Sequence, residues 1–540
     1  MKNKGHQPPT FETTALESTT ADKEVSEDTN STTPPTNTSE LNFLKLRRMH
    51  IDTHQEPVIY MRKDCHVCRS EGFYAQTRIR ISTQNNSIIA TVNVVTNGYL
   101  SHQEAGLSES AWHLLKSEEG EKATFHHAKP ADSMGSVRGK VYGTPFTDNS
   151  AKHIIHDITR GYYSDIQLAS FVTACAGSRL DTPEIISLTK AMVNVGSHLD
   201  WGADKVMDKH CVGGLPGNRT TPIVVSIVTA AGLIMPKTSS RGITSPAGTA
   251  DTMETLAPVA LSITQMRHVV EQHGGCIAWG GSISLSPADD ILIRVERALD
   301  LDSEGQLVAS VISKKVAAGS NHALIDIPVG ITAKVRNIKY AQKLASQLEA
   351  AGAALDLNVT SLFTDGSQPV GRGIGPALEA RDILNILQNK PNAPQDLRDR
   401  SLTIAAKLLE IGGAAQPEHG RQLAKTILDS GRAWQKFQAI CEAQGGMRTP
   451  PTAKFKHHVC SKNAGIVSYI NNRFISKLAK LAGAPSAAAA GLDIHIQLGE
   501  KVEIGSPLFD LYAETQGELA YAIDFLNTHP DAIKIEEEVL

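Results

Sequence analysis

The stretch Asp208–Leu256 reads DKHCVGGLPGNRTTPIVVSIVTAAGLIMPKTSSRGITSPAGTADTMETL. It runs from a Lys209–His210 pair through a glycine-rich turn (Gly213, Gly214, Gly217) to two candidate helix starts, Thr221-Pro222 and Ser245-Pro246. A hydroxyl-rich loop with Arg241 lies between the two starts. The run from Pro222 to Ile234 is apolar and small, which predicts a buried helix with Thr221 as its N-cap, Pro222 at its first position and Gly232 and Pro236 marking its end. A second helix is expected to start at Ser245. Helix starts carry unpaired N–H groups and a positive dipole end, and glycine lets the backbone come close to an anion. Phosphate binds readily at such places. The Gly-Lys-Ser/Thr ending of a Walker A loop is missing, so this is an anion site of another kind.

Composition narrows the class. A chain of 540 residues is long enough for about three domains. Net charge is −4 with 20% charged residues, which provides no strong field for nucleic acid. Aromatics are 5%, too few for a single-strand stacking platform. No apolar run approaches the ~18 residues of a membrane span, and no signal-peptide core opens the chain. Seven scattered cysteines suit a reducing cytoplasm better than a disulfide framework. Cys65-His-Val-Cys68 is half of a zinc pattern, but no second CxxC follows it, so no metal is expected.

The Asp208–Leu256 segment resembles the signature of the thymidine/pyrimidine-nucleoside phosphorylase family. SSRGITSPAGTADTME, residues 239–254, resembles the long branch of that family, which includes AMP phosphorylases. The resemblance runs from about residue 45 to the C-terminus. It implies a pentosyltransferase that splits an N-glycosidic bond with inorganic phosphate. The reaction expected is thymidine plus phosphate to thymine and 2-deoxyribose 1-phosphate, in pyrimidine nucleoside salvage or catabolism. The alternatives are AMP phosphorolysis to adenine and ribose 1,5-bisphosphate, and a catalytically silent nucleotide-binding regulator. Phosphate is a co-substrate and no cofactor is implied. The partners expected are small molecules and a second copy of the chain, with neither nucleic acid nor membrane.

The fold expected is multidomain α/β: a small helical domain, a larger α/β domain with a cleft between them, a β-rich N-terminal domain and an α+β C-terminal domain. Residues 1–40, rich in Thr, Ser, Glu and Pro, bury too little to order and read as a disordered tail. Residues 41–128 hold the β-rich runs VIYM, TRIRIS and SIIATVNVVT. From 129 to 203 helical spacing takes over, at Ile166–Ala176 and Pro183–Val195 with Ser164 and Asp181 or Thr182 as caps. By resemblance this domain regains the segment 287–318. The α/β domain takes 204–286 and 319–446, with CIAW, ALIDIPV and ALDLNVTSLF as buried strands. Residues 447–540 form the C-terminal domain.

The candidate site residues follow from the resemblance and from their chemistry. Lys209 suits phosphate as a compact charge, and His210 suits a leaving base near neutral pH. Thr221, Ser239 and Thr249 offer hydroxyl donors, Arg241 a bidentate fork and Gly214 close backbone approach. Serine commonly follows the Lys-His pair in the family; Cys211 stands here, a weaker donor that leaves its backbone N–H as the contact. A nucleophilic Cys211 is the rival reading, although the family implies no covalent intermediate. Ser303 is expected to cap a helix from Glu304 to about Ala318, stopped by Gly319, which places Ser310 and Lys314 on one face. They match the Ser-x-x-x-Lys pair that holds the pyrimidine, with Arg294 as the nearest partner arginine. The AMP reading adds Ser240, Thr244, Ser245, Asp302 and Lys334, with Asp302 as proton donor to the purine. That role needs a raised carboxyl pKa, whereas a helix start lowers it.

Overall fold

The computed structural model describes residues 42–537 apart from 97, 243, 244, 284, 300 and 302. Asp302 and Thr244 therefore lie outside the described residues. The chain divides into two compact units: residues up to Ala75 with Ile81–Asn86 and Val92–His126, and Gln76–Arg80 with Ser87–Thr91 and everything from His127 onward.

Six strands close into a barrel in the order β1-β5-β2-β4-β3-β6: β1 Phe43–Arg48, β2 Val58–Arg62, β3 Arg78–Ser82, β4 Ser87–Val95, β5 Glu104–Leu107 and β6 Lys122–His127. Alternation drives it. Leu44 and Leu46 of β1 and Ile79 and Ile81 of β3 are buried, while their neighbours Lys45 and Arg80 are not. Closure leaves no bare sheet edge. Cys65 caps the short helix His66–Glu71, its sulfur accepting the Cys68 N–H at 3.3 Å.

The second unit is built on parallel strands. β7 Met207–Cys211, β10 His322–Val329 and β11 Asn358–Asp365 form a sheet in the order β11-β10-β7. β8 Met235–Ser239 pairs in parallel with β9 Gly275–Trp279, and a parallel bridge from Val206 to Ile234 joins the two sets. The C-terminal ends of all five strands thus point the same way, where open α/β sheets carry their ligands.

Helices cover both faces. Thr221–Ala230, Gln395–Gly412 and Arg432–Ala443 share one core with Met207, Ile277 and Leu324. The other face buries Ala323, Ile325 and Ile327 against Ile338–Ala353 and the helical bundle. The bundle contains Asp148–Thr159, Asp165–Cys175, Thr182–Asn194, Pro287–Leu299 and Glu304–Ala317. Thr147, Ser164 and Asp181 each close a capping box, which fixes three of these starts. Ser303 caps the last helix as expected, and Gly319, at φ +76°, follows its end. The C-terminal part packs β12 Gly373–Ile374, β13 Phe455–Cys460, β15 Gly491–Ile494 and β17 Pro507–Ala513 in one sheet. β14 Gly465–Ile470, β16 Lys501–Val502 and β18 Ile533–Glu536 make a second sheet, beside the helices Asn472–Leu481 and Gln516–Asn527.

Three local expectations shift. Thr220, not Thr221, is the N-cap of the first motif helix, so Pro222 takes its second position. Ser245 starts no helix. The start falls at Thr249, where the Asp251 carboxylate in the first turn accepts N–H bonds from Gly242 at 2.6 Å and Gly248 at 2.9 Å. β11 opens at Asn358, four residues into ALDLNVTSLF, after a turn with Asp356 at φ +57°.

Candidate active site

Lys209 and His210 lie near the C-terminal end of β7, and a glycine loop carries the chain from there to the Thr221–Ala230 helix. Lys209 is 2% exposed, and its ammonium donates to Thr220 Oγ1 at 2.6 Å, so the charge sits at the helix start. Burial pulls its pKa down, while Asp326 and Cys211 oppose that shift. Asp326, opposite Cys211 on β10, is held by Thr364 Oγ1 at 2.6 Å and Asn218 Nδ2 at 3.4 Å. Burial and Asp326 push the Cys211 thiol up to about 12, so at neutral pH it is a protonated sulfur and not a nucleophile. His210 is held well below the usual histidine range by burial first, then by Lys315, Lys237, Lys314 and Lys209. Its imidazole is neutral at pH 7.

The loop depends on two glycines. Gly217 has φ +76°, and a Cβ there would stand 2.0 Å from the Val370 carbonyl oxygen. Gly214 has φ +79°, and its Cβ would meet the Lys334 backbone nitrogen at 2.3 Å, so the loop and Lys334 are in direct apposition. Gly217→Ala adds backbone strain of about 1–2 kcal/mol to that clash. The expected outcome is a lower denaturation midpoint and weaker phosphate use, read by chemical denaturation and by the KM for phosphate.

Arg219, absent from the candidates read in the sequence, ties several loop residues together. Its Nε meets Glu379 Oε2 at 2.7 Å, one NH group donates to Thr249 Oγ1 at 2.9 Å and the other to the Ala247 carbonyl at 2.8 Å. Glu379 is buried and also accepts from Thr252 Oγ1 at 2.7 Å; burial raises its pKa while Arg219 pulls it back. Arg219 only donates, so Thr249 is oriented by it and keeps its own hydroxyl proton to offer elsewhere. Ser239 ends β8 and donates to the Ala278 carbonyl at 3.3 Å. Ser245 donates to the Ala247 carbonyl at 2.8 Å, and the Ser240 carbonyl accepts from Ala250 N.

Two of the candidate arginines meet carboxylates of the chain. One terminal nitrogen of Arg241, Nη1, meets both Glu254 at 2.5 Å and Asp251 at 3.2 Å, with the guanidinium 4.8 Å from the centre of the Trp279 ring. Arg294 makes a two-pronged bond to Asp165 at 2.6 and 2.8 Å, which joins two bundle helices. Ser310 and Lys314 lie one turn apart on Glu304–Ala317, and Lys314 pairs with the buried Asp289 of the preceding helix. The next residue of that helix, Lys315, reaches Asp208 of β7 at 2.8 Å, so the helix bearing Ser310 and Lys314 is tied to the strand bearing Lys209 and His210.

Elsewhere, among the described residues, Asp493, His495 and Asp510 offer ligand atoms within 4.8 Å of one another. Asp510 is already engaged by Lys456 at 3.0 Å and His458 at 2.6 Å, and Arg372 stands 3.4 Å from Asp493. These cations make the group an ion-pair network of the chain itself. No described helix is long and apolar enough to cross a membrane.

Residues 203–434 match the model of the glycosyl transferase family a/b domain, and residues 137–196 match that family's helical bundle domain. Residues 466–532 match the pyrimidine nucleoside phosphorylase C-terminal domain. A helical bundle, an α/β domain and this C-terminal domain in one chain define a pentosyltransferase. A protein of Hahella chejuensis named "Putative thymidine phosphorylase" is 65% identical over 501 residues, covering 93% of this chain and 99% of that one. A protein of Acidovorax sp. named "Putative thymidine phosphorylase 2" is 59% identical, covering 92% and 97%. One of Legionella pneumophila with the first name is 56% identical, covering 92% and 96%. The chain belongs to the thymidine/pyrimidine-nucleoside phosphorylase family, in its long branch. Among solved structures, anthranilate phosphoribosyltransferase from Thermus thermophilus aligns with a TM-score of 0.48 at 17% identity, covering 57% of this chain and 99% of that one.

Proposed function

We propose that the protein catalyses phosphorolysis of thymidine to thymine and 2-deoxyribose 1-phosphate. The observation that carries this reading is Lys209 seated on Thr220 at the start of the Thr221–Ala230 helix, next to the Arg219–Thr249 contact, with the bundle helix that bears Lys314 tied to β7 through Lys315 and Asp208. Phosphate sits at Lys209, the glycine loop and the hydroxyls of Thr221, Ser239 and Thr249. One of its oxygens attacks the anomeric carbon while the bond to the base nitrogen breaks and its electron pair leaves with the base. Charge on the departing pyrimidine falls on Lys314, with Ser310 and the neutral His210 as hydrogen-bonding partners. Acceleration comes from positioning and from charge fixed in place before the reaction. No covalent enzyme intermediate is needed, in keeping with a protonated Cys211.

A second reading, AMP phosphorolysis, is favoured by the apposition of Gly214 and Lys334, which places a lysine beside the glycine loop where a 5′-phosphate can be met. A nucleotide-binding regulator without turnover is the third. Purified protein with phosphate is incubated with thymidine, uridine, cytidine or AMP, and the bases are separated by chromatography. Thymine release supports the proposal. Adenine without thymine moves the assignment to AMP, and nucleotide binding without any base moves it to the regulator.

A further inference from the structure

The Glu304–Ala317 helix ends in three polar residues that leave it in three directions. Ser313 Oγ lies 3.5 Å from Ser286 Oγ, Lys314 pairs with Asp289, and Lys315 Nζ stands 2.8 Å from Asp208 Oδ2. Lys315 is not the solvated neighbour that its place beside Lys314 suggests: it is 3% exposed, and Asp208 is wholly buried. The other Asp208 oxygen accepts the Lys209 backbone N–H at 2.6 Å and lies 3.2 Å from Nζ of Lys237, a buried lysine on β8.

One carboxylate therefore faces two buried lysines. The other acids nearby serve other groups: Asp289, with Asp290 and Glu296, acts on Lys314, and Asp326 is held by Thr364 and Asn218 beside Lys209. Two buried lysines on one carboxylate leave one of them without a full counter-charge at that point, and burying such a charge is costly. A fold that keeps it has a use for it. Burial, with Lys237, draws the Lys315 pKa down to about 7 against the pull of Asp208, so the lysine gives up its proton readily near neutral pH and an incoming anion favours its charged form. The groups that face His210 are Lys314 and Lys315 from the bundle helix, Lys237 from β8 and Lys209 from its own strand.

We propose that Lys315 is a positioning residue for phosphate. Its pair with Asp208 locks the helix bearing Ser310 and Lys314 onto the strand bearing Lys209 and His210. The second buried ammonium supplies the positive excess that an incoming phosphate dianion neutralises. The inference rests on the phosphorolysis reading. In Lys315→Met the Asp208 carboxylate keeps Lys237 as its counter-ion, so the variant leaves no buried charge unpaired, which is the change that destabilises most. The fold is retained and phosphate is what suffers.

The test is equilibrium dialysis of the full chain against radiolabelled inorganic phosphate, with steady-state kinetics and thermal melting, on the wild type, Lys315→Met and Lys315→Arg. For Lys315→Met the dissociation constant and the KM for phosphate rise about tenfold or more, as for the loss of one buried charge at the site, and the KM for nucleoside rises by a smaller factor as the helix bearing Ser310 and Lys314 loosens. Its melting temperature is unchanged or higher. The acid limb of its pH–rate profile moves to higher pH, because His210 loses a cationic neighbour. Lys315→Arg, which keeps the charge, retains the wild-type phosphate affinity and pH limb. A folded Lys315→Met with wild-type phosphate affinity and pH profile overturns the proposal, and so does a Lys315→Met that fails to fold, which makes the lysine structural. Dialysis needs no turnover. A wild type that binds phosphate but releases no base sinks the phosphorolysis reading and leaves this test standing.

Discussion

Lys209→Ala is expected to lower kcat/KM for phosphate by about 30- to 4,000-fold, with the nucleoside KM moved far less. The size follows from removing a buried charge that meets an anion, worth about 2–5 kcal/mol, at 1.4 kcal/mol per factor of ten. The lysine is almost completely enclosed and its ammonium is anchored on Thr220 at the start of the Thr221–Ala230 helix, so no neighbouring side chain replaces it. Initial rates over a phosphate series at saturating nucleoside give the result directly. An unchanged phosphate dependence removes Lys209 from the site.

Arg219→Met is expected to cost about 3–5 kcal/mol of stability, because it leaves the Glu379 carboxylate buried without its cation. It also frees Thr249 and the Ala247 carbonyl from the guanidinium that positions them, so phosphate use falls along with stability. Glu379 is already pushed up by burial, and loss of Arg219 pushes it further. The folded protein then takes up a proton on Glu379 at a pH where the unfolded chain stays ionised. Stability of the variant consequently improves as pH falls from neutrality toward the usual carboxylate range, and the deficit relative to wild type narrows. Urea denaturation at several pH values reads both effects. A midpoint close to wild type at every pH contradicts the role given to this pair.

What the sequence makes legible is what local chemistry decides. Ser303 at one end and Gly319 at the other bound the Glu304–Ala317 helix, and that placed Ser310 and Lys314 one turn apart before any tertiary contact was known. Strands such as ALIDIPV carry their own apolar signal. β8 does not: Met235-Pro-Lys-Thr-Ser239 has a proline at its second position and buries Lys237 and Thr238, which read as loop residues without their partners. The Ser245-Pro246 start looked sound by the same local rules, but the helix starts at Thr249, with the Asp251 carboxylate in its first turn. The partners of Arg294 and the part played by Arg219 were hidden for a longer-range reason. Arg294 is answered by Asp165 and Arg219 by Glu379, 129 and 160 residues away, and no spacing rule reaches that far. The motif thus pointed to an anion site, while the cations that flank it and the carboxylates that hold them emerged only from the fold.

Labelled phosphate tests the central claim most directly. The protein is incubated with thymidine and radiolabelled orthophosphate, and the products are separated and counted. The account predicts label in an acid-labile sugar 1-phosphate, formed mole for mole with thymine and absent when phosphate is withheld. Thymine released without label in the sugar, or no thymine while another substrate is cleaved, would contradict it.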